Sequence, residues 1–250
     1  MLMCGRYASS RKPEDLVELF QVDRWNPTEA LAPSWNVAPT DDVWAVLERA
    51  GRETGELGRE LRRLRWGLVP SWAKDLSGGA RMINARMETV HEKPAYRKAF
   101  AKRRCLLPAD GFYEWTAEPA TAERKAYKQP WYIAPEDGTP MAMAGLYEWW
   151  RDRSREEDDP LAWLATCTII TTEATDAAGR VHPRMPLAIA PEDFEAWLDP
   201  AHQDPGELRA LLHEPAAGRL RVREVSLAVN SVRNNGPQLL DPPEQPTARD

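Results

Sequence analysis

The chain has 250 residues, with 33 Lys/Arg against 39 Asp/Glu and a formal charge of −6; that length supports a sizeable core in one large domain or two small ones. No run approaches the roughly 20 apolar residues of a membrane helix, no Cys-x-x-Cys or His-Glu-x-x-His spacing supports a metal site, and no glycine-rich phosphate loop or secretory leader can be read. Cys4, Cys105 and Cys167 are odd in number and far apart, which argues against a disulfide framework and suits a reducing cytoplasm.

An acidic total argues against a simple nucleic-acid binder, but the charge is uneven. Residues 59–104 hold 13 Lys/Arg against 4 Asp/Glu, a basic stretch that could form either a phosphate-binding face or a set of solvated strand and helix faces.

In chain order, the first informative stretch is Met3-Cys4-Gly5-Arg6-Tyr7. Leu2 is too bulky for removal of a leading Met, whereas Cys4 behind Met3 is small enough. A chain beginning at Cys4 would carry an α-amine and a thiol on adjacent carbons, titrating near ~8 and ~8.5. Such a 1,2-aminothiol condenses with an aldehyde to a Schiff base and closes through sulfur to a thiazolidine. The bland reading of Cys4 is a small buried hydrophobe.

Pro13 to Phe20 is expected as a short amphipathic helix, with Pro in its first turn and acids behind it. Trp35 to Thr40 reads as extended, Val43 to Leu47 as a strand, Gly51 to Gly58 as a hairpin loop, and Leu61 to Leu68 as a half-buried strand. Lys93 to Arg104 reads as a basic helix. Strands are expected at Cys105–Pro108, Gly111–Trp115, Trp131–Ala134, Met141–Trp149, Leu164–Thr172 and Val222–Val229, and short helices at Ala190–Leu198 and Pro205–His213. Many short strands, few helices and no βαβ alternation indicate an α+β fold with a largely antiparallel, barrel-like sheet and peripheral helices. The expected organisation is one domain over residues 4–240, with residues 1–3 as a leader and the Pro-rich residues 241–250 as a disordered tail.

Several polar residues stand where a plain strand would not place them. Glu114 lies among Phe112, Tyr113 and Trp115, so desolvation could raise its pKa into the useful acid–base range; the alternative is the solvent face of an alternating strand. His182 sits between Val181 and Pro183, as a positioned proton carrier or a structural histidine. Asn84 and Arg86 alternate with Ile83 and Ala85 and could face one pocket. Trp66 and Trp72 flank a Gly/Pro turn, either stacking on bases or anchoring the core.

Together, Met3-Cys4-Gly5-Arg6-Tyr7, Trp35-Asn36-Val37-Ala38-Pro39-Thr40, Trp66-Gly67-Leu68-Val69-Pro70-Ser71-Trp72, Asn84-Ala85-Arg86-Met87-Glu88-Thr89, Cys105 through Trp115, Ala144-Gly145-Leu146-Tyr147-Glu148, Thr168 through Thr172 and His182-Pro183-Arg184-Met185-Pro186 resemble the SRAP family, the SOS-response-associated peptidases. The motifs run in family order to about Asn234, and the ordered set is far more specific than any one of them. The resemblance implies a β-barrel-like α+β domain that recognises abasic sites in single-stranded DNA and shields them as a covalent crosslink. It implies Cys4 as nucleophile, Asn84 as orienter of the Cys amine and sugar, Glu114 as proton carrier in Schiff-base formation, and His182 as acid–base partner in ring opening. Arg6 and Arg86 would hold phosphates, and Trp66 and Trp72 would contact the splayed strand. Neither metal nor cofactor is implied, and the chain is expected to be a monomer with no membrane association. Trp35 replaces the family's usual Tyr, and Asp41 its frequent Gln. Two other readings use the same residues: a cysteine peptidase with Cys4 activated by His182, and a non-covalent single-strand binding module.

Overall fold

The computed structural model describes residues 4–51, 55–121, 124–156, 158–175, 177–212 and 219–243. The expected leader at 1–3, residues 244–250 of the expected tail, and His213 lie outside them. In chain order the elements are β1 (Tyr7–Ser9), α1 (Pro13–Leu19), β2 (Arg24–Trp25), β3 (Ser34–Val37), β4 (Asp42–Ala50), β5 (Leu57–Trp66), β6 (Asn84–Arg86), α2 (Arg97–Lys102), β7 (Arg104–Ala109), β8 (Gly111–Glu118), β9 (Tyr127–Pro135), β10 (Met141–Arg151), β11 (Trp163–Glu173), β12 (Arg184–Pro186), α3 (Phe194–Leu198), α4 (Pro205–Ala210) and β13 (Leu220–Glu224).

One sheet runs β13-β9-β8-β1-β3. In the other, β11, β10, β7, β4 and β5 are successive neighbours, and β11 also pairs with β5 through Thr166↔Arg65 and Cys167↔Trp66. That pairing closes five strands into a barrel and leaves no free edge between β5 and β11. Most ladders are antiparallel, as expected; β5–β11, β6–β11 and β2–β5 are parallel.

Strand alternation sorts the side chains into two layers. On β7, Cys105 and Leu107 join an inner core with Tyr7, Trp66, Phe112, Ile133, Cys167 and Ile169, drawn from both sheets. Leu106 faces the other way, into a core that takes Leu16 and Phe20 from α1 and its C-terminal end, Phe100 from α2, Trp197 from α3 and Leu208 from α4. The helices thus cover the outer barrel wall, and α1 forms where the Pro-first, acid-rich first turn indicates.

Two expected elements differ. The basic helix read over Lys93–Arg104 is helical only as α2, because the chain enters β7 at Arg104. The Arg104 guanidinium is buried and donates to the carbonyls of Phe100 (2.9 Å), Ala101 (2.7 Å), Trp197 (2.6 Å), His202 (2.9 Å) and Asp199. The final strand stops at Glu224, since the Ser226 hydroxyl accepts the Ala228 N–H at 3.3 Å and starts a 3₁₀ turn over Leu227–Asn230.

Candidate active site

Four of the residues singled out in the sequence meet at one point. Cys4 lies just ahead of β1, fully buried within the inner core, with its backbone at φ 37°. This left-handed conformation costs a non-glycine residue about 1–2 kcal/mol. Its N–H donates to Glu114 Oε1 at 2.6 Å, and its carbonyl accepts from Asn84 Nδ2 at 3.3 Å. His182 Nδ1 lies 3.9 Å from the same carboxylate oxygen. Two separate segments therefore hold the Cys4 backbone, and a third reaches the carboxylate that does so.

Local folding explains each placement. Glu114 shares a face of β8 with Phe112, which is core, so the alternation carries it inward rather than to solvent; it is only 4% exposed. Burial pushes the carboxyl up to about 7, and the Cys4 N–H bond opposes that rise only partly. Asn84 opens β6, in register with Ile169 of β11. His182 follows a 3₁₀ turn at Ala178–Arg180, and its N–H donates to the Ala178 carbonyl at 3.1 Å. The ring is held by its own segment: Arg184 N–H donates to Nδ1 at 3.1 Å. Burial, reinforced by the Glu114 charge, pushes the Cys4 thiol well above its ordinary range. A thiolate is disfavoured there, and a reactive cysteine that acts through its thiolate needs the opposite setting.

Two clefts adjoin this point. One, of about 850 Å³, is lined by His182, Arg86, Glu88, Thr89, Glu173 and Arg184 among others. Arg86 is exposed there, while Arg184 is engaged, donating to both Glu88 carboxylate oxygens and, at 2.6 Å, to the Thr171 carbonyl. The second cleft, of about 520 Å³, begins at Gly5 and Arg6, next in the chain to Cys4, and continues to Pro39, Trp115, Lys128 and Asn230. Arg6 donates to Asn36 Oδ1 at 2.7 Å and to the Val229 carbonyl at 3.0 Å, with its guanidinium 5.7 Å from the Trp115 ring centre.

Trp66 corrects an expectation. It is fully buried, its indole N–H donates to the Ile83 carbonyl at 2.9 Å, and its ring meets Tyr7 edge-on at 5.2 Å. It has no surface to offer a base. Trp72, by contrast, is 65% exposed. Nor is the basic stretch one face. Arg59, Arg62, Arg63 and Arg103 pair with Glu48, Glu29 and Glu60, Asp42, and Glu148, Arg104 is buried, and successive residues of β5 alternate between its two faces. Trp115, Lys128, Asn230 and Arg184 were not singled out from the sequence. Arg184 stood inside a quoted motif and Trp115 beside Glu114, so for these two the signal was present.

The SRAP family model, "SOS response associated peptidase", matches residues 3–232. The chain is 39% identical over 240 residues to "Abasic site processing protein YoqW" of Bacillus subtilis, covering 96% of this chain and 99% of that one. It is 31% identical to "Abasic site processing protein HMCES" of Gallus gallus, covering 97% of this chain and 78% of that one. Among solved structures, a Bacteroides thetaiotaomicron protein superposes with a TM-score of 0.76 at 23% identity over 96% of this chain and 99% of that one. A phage-related protein of Bordetella bronchiseptica gives 0.61 at 30% identity, over 89% and 94%. With a family match running from the Cys4 segment to Val232, and a relative 39% identical that aligns nearly end to end, this chain belongs to the SRAP family.

Proposed function

We propose that this protein processes abasic sites, capturing the ring-opened aldehyde in single-stranded DNA through Cys4 as a thiazolidine. The observation that supports it best is the 2.6 Å contact between the Cys4 nitrogen and the Glu114 carboxylate. In a chain that begins at Cys4 that nitrogen is an α-amine, set directly against a carboxyl that burial pushes up.

The amine attacks the aldehyde carbon and forms a carbinolamine. Glu114 delivers a proton to the carbinolamine hydroxyl, which leaves as water, and an iminium remains. The Cys4 sulfur adds to the iminium carbon and its proton passes to the Glu114 carboxylate. The net change is aminothiol plus aldehyde giving thiazolidine plus one water. A carboxyl whose affinity for a proton is raised by burial is suited to both transfers. His182, on the same carboxylate, assists ring opening of the sugar, and Asn84 holds the Cys4 carbonyl so that amine and thiol face one carbon. The strand lies along the two clefts, with Arg86 and Arg6 near phosphates and Trp72 or Trp115 against bases; base stacking contributes about 1–3 kcal/mol per base.

The peptidase reading draws on the same Cys4, but the thiol there is raised rather than lowered. A labelled oligonucleotide with one abasic site, resolved on a denaturing gel, tests the proposal. A chain starting at Cys4 should give an adduct stable to heat without reductant. Cys4→Ser should give one that survives mainly after borohydride trapping. A chain with an uncleavable residue ahead of Cys4 should give none. Equal crosslinking by that blocked chain would overturn the amine's role, and a Cys4→Ser adduct as stable as the wild type would remove sulfur from the linkage.

A further inference from the structure

Strand β6 has only three residues and pairs with β11 along one edge. Side chains reach the backbone groups around it. The Ile83 carbonyl accepts both the Ile169 N–H (2.9 Å) and the Trp66 indole N–H (2.9 Å). The Asn84 carbonyl accepts the Tyr96 hydroxyl at 3.3 Å. Trp66 also touches the strand that follows Cys4, through its edge-on contact with Tyr7. Its own ends are pinned: its N–H donates to the Asp41 carbonyl at 2.9 Å and its carbonyl accepts the Thr40 N–H at 2.8 Å. Immediately after it, Gly67 at φ 125° approaches Gly79 so closely that a Cβ would sit 2.7 Å from the Gly79 oxygen. The chain on both sides of the indole is thereby fixed.

We propose that Trp66 is a positioning residue for Asn84: with Tyr96 it clamps the two carbonyls flanking the Asn84 backbone, and so sets the Asn84 amide against Cys4. A strand this short has too few ladder bonds to define its own register to a fraction of an ångström. The Asn84–Cys4 bond, at 3.3 Å, is long enough that a small slip would break it. A buried indole that spans Tyr7 and Ile83 fixes the separation of the two strands directly, in the way an outer shell of contacts orients the groups that do chemistry.

The inference rests on the crosslinking reading, and the test separates the two. Trp66→Phe keeps a ring against Tyr7 and removes the indole N–H; Tyr96→Phe removes only a hydroxyl and guards against misfolding of the first variant. Crosslinking should slow about tenfold in Trp66→Phe and about threefold in Tyr96→Phe, the scale of one neutral hydrogen bond. Affinity for unmodified single strands should stay within about twofold of wild type, since neither side chain is placed on the strand's path. In an Asn84→Ala background neither substitution should slow the reaction further, because residues acting through one another are non-additive. The same loss in both backgrounds, or no loss with Asn84 intact, overturns the proposal. The Asn84 side-chain amide resonances, assigned by their absence in Asn84→Ala, should shift in both clamp variants, and unmoved resonances overturn it without any reaction being run. Failure of the wild type to form an adduct would sink the crosslinking reading alone, and the resonances would still judge the clamp.

Discussion

Replacing Glu114 by Gln gives the most quantitative test of the site. The carboxyl stands at about 7 in the folded chain against an ordinary 4.5. That difference, about 2.5, taken at roughly 1.36 kcal/mol for each pH unit, is about 3 kcal/mol. The folded state binds the proton more tightly than the unfolded state, so the stability it contributes is fully present below 4.5 and is lost as pH rises through about 7. Glu114→Gln cannot ionise and still offers an oxygen to the Cys4 N–H. Urea unfolding from about pH 4 to 8, in the chain that retains residues ahead of Cys4, should show the variant matching wild type at the acid end. It should exceed wild type by up to about 3 kcal/mol at the alkaline end. In a chain that starts at Cys4, an ammonium 2.6 Å from the carboxylate should draw the inflection downward and shrink the gap. Parallel stability profiles for wild type and Glu114→Gln across this range would refute the desolvation argument and with it the acid assigned to the mechanism.

Four further outcomes follow from named contacts. Arg86→Ala should flatten the salt dependence of single-strand binding by roughly 0.7 in log–log slope for the one phosphate contact removed, read by fluorescence anisotropy across salt concentrations. Trp72→Ala should weaken the same binding by about 1–3 kcal/mol with the slope unchanged. His182→Ala should slow crosslinking about 10²-fold or more in a gel time course while binding to unmodified strands holds; equal loss of both would indicate a damaged fold. Arg104→Met should destabilise the chain by roughly 3–5 kcal/mol in urea unfolding, because it takes a charged donor from five carbonyls, of which Asp199 keeps the His202 N–H.

Most strands were legible because their alternation and turn residues are local. The same holds for the set of chemical residues, whose motifs each lie within a few positions of sequence. What could not be read was which side of a strand faces inward. Glu114 among aromatics is compatible with either face, and only the packing of Phe112 against the second sheet decides it. Trp66 and Trp72 are near neighbours in sequence and look alike, yet one lies inside the barrel and the other outside. Strand closure makes that distinction, through the pairing of Trp66 with the distant Cys167. The basic stretch stayed ambiguous for a related reason: several of its charges answer carboxylates from other segments, Glu29, Glu48 and Glu148, that no local window contains. Arg104 was invisible as a buried cation because its partners are backbone carbonyls, which carry no residue signature.

Strand β11 is shared unequally along its length. Its first half holds β5 on one edge and β10 on the other, and closes the barrel. Its last residues exchange both partners, taking β6 through Ile169, Ile170 and Thr171 and β12 through Thr171, Thr172 and Glu173. The strand therefore works as a stem with a fork at its tip: the trunk keeps the barrel shut, and the two tines carry Asn84 and the segment of His182 and Arg184. Substitutions near Thr166 and Cys167 act on the trunk and change how readily the barrel opens. Substitutions at Thr172 and Glu173, which are not buried, re-aim the β12 tine with the barrel still closed, which gives this architecture a place to alter reactivity at little cost in stability.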